Sequence, residues 1–222
     1  MQCCGEESDQ RMPARNQAAE ASGDRQADEN RTLQAQATSV EIAQAARRLF
    51  VAKGWAATTV REVAREAGVS VPTVYSAYGN KTGLVQAIVD AADLSADAPR
   101  MLAELEDAAG DPPRQLAAMA GYDRRLFERA ADVIALVREA ARTEPDLATT
   151  YTDARRRADD TRIQVFTSWP EGTLREDLTT SVDIYAALCT IDVFTTLTTE
   201  RGWSPDRVET WWTTTLSREL LA

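Results

Sequence analysis

The 222-residue chain reads as an all-α protein, and three observations predict that fold class. Apolar side chains recur at helical spacing through most of residues 38–222. Glycine and proline fall between the periodic stretches, where they end one helix or open the next. Residues 39–84 form a run of three short helical patterns separated by tight turns, which is the signature of a compact N-terminal module followed by a larger helical part.

Residues 1–37 are rich in Gln, Ala, Glu, Asp, Asn and Arg, with Leu33, Met1 and Met12 as the large apolar side chains. So little apolar surface does not offset the ordering entropy, and a disordered polar tail is expected. Met12 is a second candidate start beside Met1. From Ser39 the stripe Ile42, Ala46, Leu49 and Phe50 predicts a first helix over about Ser39–Lys53, with Gly54 at its C-terminus. Thr58 or Thr59 caps a second helix: Thr59 and Glu62 have capping-box spacing, and Val60, Val63, Ala64 and Ala67 form the apolar face. Gly68 ends it. Ser70 caps a third helix with Pro72 in its first turn, running to about Tyr78 before Gly79. Residues 59–78 therefore read as a helix-turn-helix.

After Asn80 a fourth helix carries Leu84, Val85, Ile88 and Ala91. Pro112 and Pro113 open a helix over Leu116, Met119, Tyr122, Leu126 and Phe127, followed by a helical VIALVREAA run from Val133 to Ala141. Pro145 begins a helix to about Trp169, and Pro170, Glu171 and Gly172 form a turn. Residues 180–200 read as one helix apolar on more than one side, which suits burial against two neighbours. Ser204 and Pro205 open the last helix, with Val208, Trp211, Trp212, Leu216 and Leu220. No strand is expected. The domain division is thus 1–37 tail, 38–90 helix-turn-helix module, and 91–222 helical domain.

The absence of histidine removes His-based triads, proton shuttles and the usual nitrogen ligands of zinc. No catalytic residue, metal site or cofactor is called for. Cys3 and Cys4 lie in the polar tail, and Cys189, in an apolar run, reads as a buried free thiol. Unbroken apolar runs are short, so neither a membrane-spanning helix nor a secretory leader is expected, and the chain is placed in the cytoplasm. The net charge of −10 is unevenly spread: 4 basic and 7 acidic residues in 1–37, 6 and 4 in 38–90, and 15 and 24 in 91–222. The helix-turn-helix module is the one region with a basic excess, as a reader of nucleic acid requires.

The segment LFVAKGWAATTVREVAREAGVSVPTVYSAYGNK resembles the N-terminal domain of the TetR family of bacterial regulators. The resemblance covers roughly residues 38–90. It rests on Leu49-Phe50, Gly54 before an aromatic, Thr58-Thr59, Ala67-Gly68-Val69-Ser70, Thr73-Val74-Tyr75 and Asn80-Lys81. The run TIDVFTTLTTERGWSPDRVETWWTTTL is similar to the closing helices of many members, and residues 91–180 are similar only in architecture. The resemblance implies a ligand-responsive regulator, most simply a repressor, that binds double-stranded operator DNA as a homodimer and is released by a small-molecule effector. The competing reading, favoured by the acidic C-terminal part, is a helical ligand-binding or scaffold protein without specific DNA binding.

In such a motif the third helix enters the major groove, and neighbouring helix ends hold phosphates. Val71, Pro72, Thr73, Ser76 and Ala77 are placed to face the groove. Thr73 can bond a base edge or touch a thymine methyl, and Val71 and Pro72 make apolar contacts. Tyr75 is assigned to a phosphate by the family pattern, with core packing as its alternative. Thr59 and Lys81, at helix N-termini, complete the expected backbone contacts. Ala77 stands where many members carry His or Tyr, and Tyr78 where Phe is usual.

An effector cavity, implied by the resemblance, would be lined by Met119, Tyr122, Phe127, Tyr151, Phe166 and Trp169, with Arg138 or Arg162 as polar anchor; core packing is the alternative for each. That lining suits a small apolar or aromatic molecule. Leu188, Ile191, Phe194, Val208, Trp211, Trp212 and Leu216 are the expected dimer interface, with ordinary core as the alternative for both tryptophans. No membrane partner is expected.

Overall fold

The computed structural model describes the backbone of residues 14–222 and the side chains of residues 30–222 apart from 93–95. Met1, Met12, Cys3, Cys4 and the first third of the expected tail lie outside the described residues. The chain divides into two compact units, Met1–Ile42 and Ala43–Ala222.

In chain order the helices are α1 (Ala14–Ala57), α2 (Val60–Glu66), α3 (Val71–Tyr78), α4 (Lys81–Ser95), α5 (Ala98–Asp107), α6 (Pro112–Ala140), α7 (Pro145–Thr167), α8 (Leu178–Leu188), α9 (Ile191–Thr195) and α10 (Pro205–Leu220), with a π-helical turn, Thr196–Glu200, after α9. Among the described residues there is no strand, only an isolated antiparallel bridge between Leu174 and Leu221.

In the first unit α1 is helical from Ala14, not from Ser39 as the sequence predicts. The segment is rich in Ala, Gln, Glu and Arg, whose intrinsic propensity favours helix without any burial. Residues 30–36 are all exposed.

In the second unit α1 passes through Gly54, which sits at φ 79, a conformation only glycine takes at low cost, and this corner separates the helix body from Trp55. The short helices start where their caps place them. Thr59 accepts from the Glu62 amide while the Glu62 carboxylate accepts from the Thr59 amide, and Ser70 accepts from the Thr73 amide. Each such cap contributes about 1 kcal/mol.

Three elements depart from expectation. The two helical patterns over residues 112–141 are one 29-residue helix, α6, because nothing between Phe127 and Val133 breaks helical geometry. Helix α5 was not anticipated; Asp97, at φ 62, caps it by accepting from the Arg100 amide. The single helix expected over residues 180–200 is broken at Cys189 and Thr190. There the β-branched Thr190 leaves helical geometry and its hydroxyl accepts from the Val193 amide, starting α9 afresh. Leu178–Glu200 is nonetheless the one stretch among the described residues whose length and composition would allow it to cross a membrane, contrary to the expectation drawn from unbroken apolar runs. Here it is three pieces with Tyr185, Cys189 and Phe194 in the protein core.

That core is built by α6, α7, α8 and α10 around Trp212, which is fully buried. The Trp212 indole lies edge-on to Phe127 at 6.0 Å and beside Phe194 at 6.1 Å, and its N–H donates to the Leu188 carbonyl at 3.0 Å. Val208, Leu216 and Phe194 are buried with it. Four of the seven residues expected at a dimer interface are therefore covered within one chain and are core. Leu188, Ile191 and Trp211 stay half-buried. Phe194 is buried in the helix that restarts after Thr190, and Val208, Trp212 and Leu216 share the buried face of α10.

Candidate nucleic-acid interface and ligand cavity

Helix α3 is held from below by one side chain. Val74 is buried, while Pro72, Tyr75, Ser76 and Ala77 are exposed and Val71 and Thr73 half-buried. The face expected to meet a groove is thus free of intramolecular cover. Tyr75 is 50% exposed, which removes the packed-core alternative for it. The Thr73 hydroxyl shares a 2.7 Å hydrogen bond with that of Ser70, so the cap orients the one strong hydrogen-bonding reader on this face.

The turn into α4 is tight. Asn80 accepts from the Gly83 amide at 2.8 Å, and a Cβ on Gly83 would lie 2.0 Å from the Tyr78 carbonyl oxygen. A side chain at 83 cannot coexist with this placement of α3.

Charge on this module is largely committed. Arg47 grips Asp132 of α6 through two bonds, 2.8 and 2.6 Å, and also donates to the Arg129 carbonyl. Lys53 pairs with Glu62 at 2.8 Å and Arg48 with Glu66 at 3.3 Å. Lys81, expected at a phosphate, is turned inward: its ammonium donates to the Trp55 carbonyl and lies 4.0 Å from the centre of the Trp55 ring. Burial lowers its pKa, against the pull of Glu144, Glu139 and Glu62. Among the described residues of the module, Arg61 and Arg65, both exposed on α2, have no ion pair. Position on the sequence alone had not singled them out; their spacing of four on the exposed face of the capped helix was the signal.

Glu62 serves the interface indirectly. The Lys53 ammonium, with the amide and hydroxyl of Thr59, holds its carboxyl down to about 2, so it stays ionised while it caps α2.

Two adjoining cavities lie among α4, α5, α6, α7 and α8. The first, of about 140 Å³, is lined by Val89, Ala92, Phe127, Val133, Ile134, Val137, Tyr151 and Ile191 among others. The second, of about 330 Å³, is lined by Met101, Leu102, Met119, Tyr122 and Tyr185 among others. They share Asp123, Leu126, Ala154, Ala158 and Arg162.

Of the eight residues expected around an effector cavity, Met119, Tyr122, Phe127, Tyr151 and Arg162 line one or both of these cavities. Phe166, Trp169 and Arg138 do not. Phe166 and Trp169 stack at 4.7 Å in the core, where the Trp169 N–H donates to Gln115, and Arg138 is tied at the surface to Asp192 at 2.7 Å.

Sequence reading missed Asp123 and Tyr185. An acid inside the apolar stripe Met119, Tyr122, Leu126 was the available signal. Asp123 accepts from the Tyr185 hydroxyl at 3.0 Å, and Arg162 stands 3.8 Å away. Burial pushes the Asp123 carboxyl above its usual range, with Arg162 and Tyr185 opposing. Burial likewise pushes the Tyr185 phenol and the free Cys189 thiol up.

The family model for bacterial regulatory proteins of the tetR family matches residues 42–88. YvkB of Bacillus subtilis (strain 168), an uncharacterized HTH-type transcriptional regulator, is 44% identical over 52 residues, 23% of this chain and 28% of YvkB. The matches to curated relatives span about a third of those proteins' length. Among solved structures, a transcriptional regulator from Saccharomonospora viridis in complex with choline superposes with a TM-score of 0.69 at 20% identity, over 84% of this chain and 99% of that one. A SmeT–triclosan complex gives 0.65 at 21% identity over 84% and 92%. These likenesses establish a shared all-helical fold. The family match falls on the elements that build the exposed face of α3, and it is this module, residues 42–88, that is similar to bacterial regulatory proteins of the tetR family.

Proposed function

We propose that the chain is a ligand-responsive transcriptional repressor that binds operator DNA as a homodimer and is released by a small-molecule effector. The observation that carries this is the pairing, in one compact unit, of an uncovered α3 face bearing Tyr75, Thr73 and Ser76 with cavities walled by α4, the helix that follows the reading motif. Choline and triclosan complexes of proteins with this fold support a small-molecule site.

A dimer is supported by the half-buried Ile184, Leu188, Ile191 and Trp211 on α8, α9 and α10, apolar surface that a single chain leaves partly open. Two reading helices must lie about one DNA turn apart, ~34 Å, to enter successive major grooves. A ligand that binds better to a dimer with another spacing weakens DNA binding by population shift. Gaps between polar readers on α3 imply that thymine methyl contacts and DNA shape contribute much of the specificity.

The test is a gel shift of the full chain on the DNA flanking its own gene. A salt-sensitive, sequence-dependent complex of two subunits per site is expected. A complex equally strong on unrelated DNA, or none at low salt, would instead favour a helical ligand-binding or scaffold protein.

A further inference from the structure

The geometry points to an amphipathic carboxylate as the effector, with its apolar body in the smaller cavity and its carboxylate on Arg162. The inference rests on the reading of these cavities as the effector site.

Arg162 is buried, 7% exposed, yet it faces both cavities. A guanidinium carries five N–H donors. The Arg162 Nη1 donates to Asp159 at 2.5 Å, and Nη2 forms a looser ion pair with Asp123 at 3.8 Å. The guanidinium carbon lies 4.6 Å from the centre of the Tyr185 ring, a cation–π contact that helps hold it at the wall the cavities share. A planar guanidinium on a mostly apolar wall matches a carboxylate through paired bonds.

Charge chooses among acceptors. The smaller cavity is lined by Arg155, Arg162 and Asp123, and the larger by Arg157, Arg162 and Asp123, so two guanidinium groups face each against the one carboxylate in its lining, with Asp159 bonded to Arg162 behind that wall. Asp123 already accepts from Tyr185, and burial draws it toward its neutral form, which softens repulsion of an arriving anion. A cation such as choline would meet both guanidinium groups at close range. Beside Thr150, Tyr151, Cys189 and Thr190, the remaining lining, which includes Val89, Ala92, Phe127, Val133, Ile134 and Val137, offers apolar surface for the ligand's body.

The test uses three probes with one skeleton: 4-phenylbutanoate, 4-phenylbutan-1-ol and 4-phenylbutylammonium, titrated calorimetrically into the full chain. The carboxylate is expected to bind at least tenfold tighter than the alcohol, with the ammonium weakest. Arg162→Gln should bring the carboxylate to the level of the alcohol. Because Arg162 also packs on Tyr185, the exposed Arg155→Gln is the companion variant, expected to weaken the carboxylate about threefold and leave the alcohol unchanged. Equal affinities, or tightest binding of the ammonium, would overturn the inference. The two readings separate in a gel shift: probes that release DNA without a preference among head groups leave the effector site standing and sink the carboxylate. A carboxylate preference with no release of DNA does the reverse.

Discussion

Replacing Trp212 by alanine is expected to cost about 3–5 kcal/mol of folding stability, the range for a large buried aromatic, whereas Trp211→Ala should cost little and weaken self-association instead. Trp212 is fully buried against Phe127 and Phe194, so its removal leaves a void that helices α6, α9 and α10 can only partly close. It also leaves the Leu188 carbonyl without its donor, at the last residue before the break between α8 and α9. Against a total stability of about 5–15 kcal/mol, that loss takes the chain near its unfolding threshold. Trp211, one position earlier, is half-buried and touches Trp203 edge-on at 6.2 Å. Its substitution removes surface, not core. Urea unfolding at two protein concentrations a hundredfold apart, with sedimentation of the native state, separates the two effects. Trp212→Ala should lower the midpoint strongly at both concentrations, and Trp211→Ala should shift the monomer–dimer balance. If Trp212→Ala unfolds like the wild type, or if Trp211→Ala destabilises as much with self-association intact, the assignment of core and surface is refuted.

Arg61→Gln with Arg65→Gln should weaken DNA binding on all sequences alike and make the plot of log affinity against log salt shallower by about 1–2, since each phosphate contact contributes ~0.9. A double-mutant cycle with Arg47→Gln and Asp132→Asn should return a coupling of about 1 kcal/mol in urea unfolding, the upper end for a pair this exposed, on account of its two-point geometry. Gly83→Ala places a methyl 2.0 Å from the Tyr78 carbonyl, so α3 and α4 must separate; DNA affinity is expected to fall at least tenfold in a gel shift, even where circular dichroism shows the helices retained. The Glu62 carboxyl titrates near 2 in the folded chain, below its unfolded value of about 4.3. Its capping contribution is therefore complete above the unfolded value and disappears as pH falls toward 2. The melting-temperature gap between wild type and Glu62→Gln should close across that window.

Most of the helical module was legible because local chemistry decides it. Thr59, Ser70 and Ser204 cap the helices they were expected to cap, and Gly54, Gly68 and Gly79 adopt positive φ where the expected helices end. What failed did so where periodicity carries no information about breaks. Thr190 is an ordinary residue in a helical pattern until its hydroxyl competes for a backbone amide, and α5 is ten residues long with a stripe resting on just two buried residues, Met101 and Leu105. The beginning of α1 erred the other way: low apolar content argued for disorder, and intrinsic propensity carried the helix to Ala14.

The site was harder to read for a related reason. Exposure along α3 follows from one buried residue, Val74, and the alternation around it, so the face bearing Pro72, Tyr75 and Ser76 could be placed by helical geometry alone. The fate of a long charged side chain could not. Lys81 sits at the N-terminus of α4, where a phosphate would be welcome, but a carbonyl and an indole within reach of its ammonium hold it inward. Arg162 shows the converse. From sequence it was one of two arginines that might anchor a ligand, and Arg138 had equal standing. Tertiary structure separates them, since Arg138 finds a surface partner in Asp192 while Arg162, paired with Asp159 and Asp123, is enclosed on the wall that the two cavities share. Arg162 is thus the residue on which the carboxylate inference stands or falls, while the cavities carry the effector reading without it.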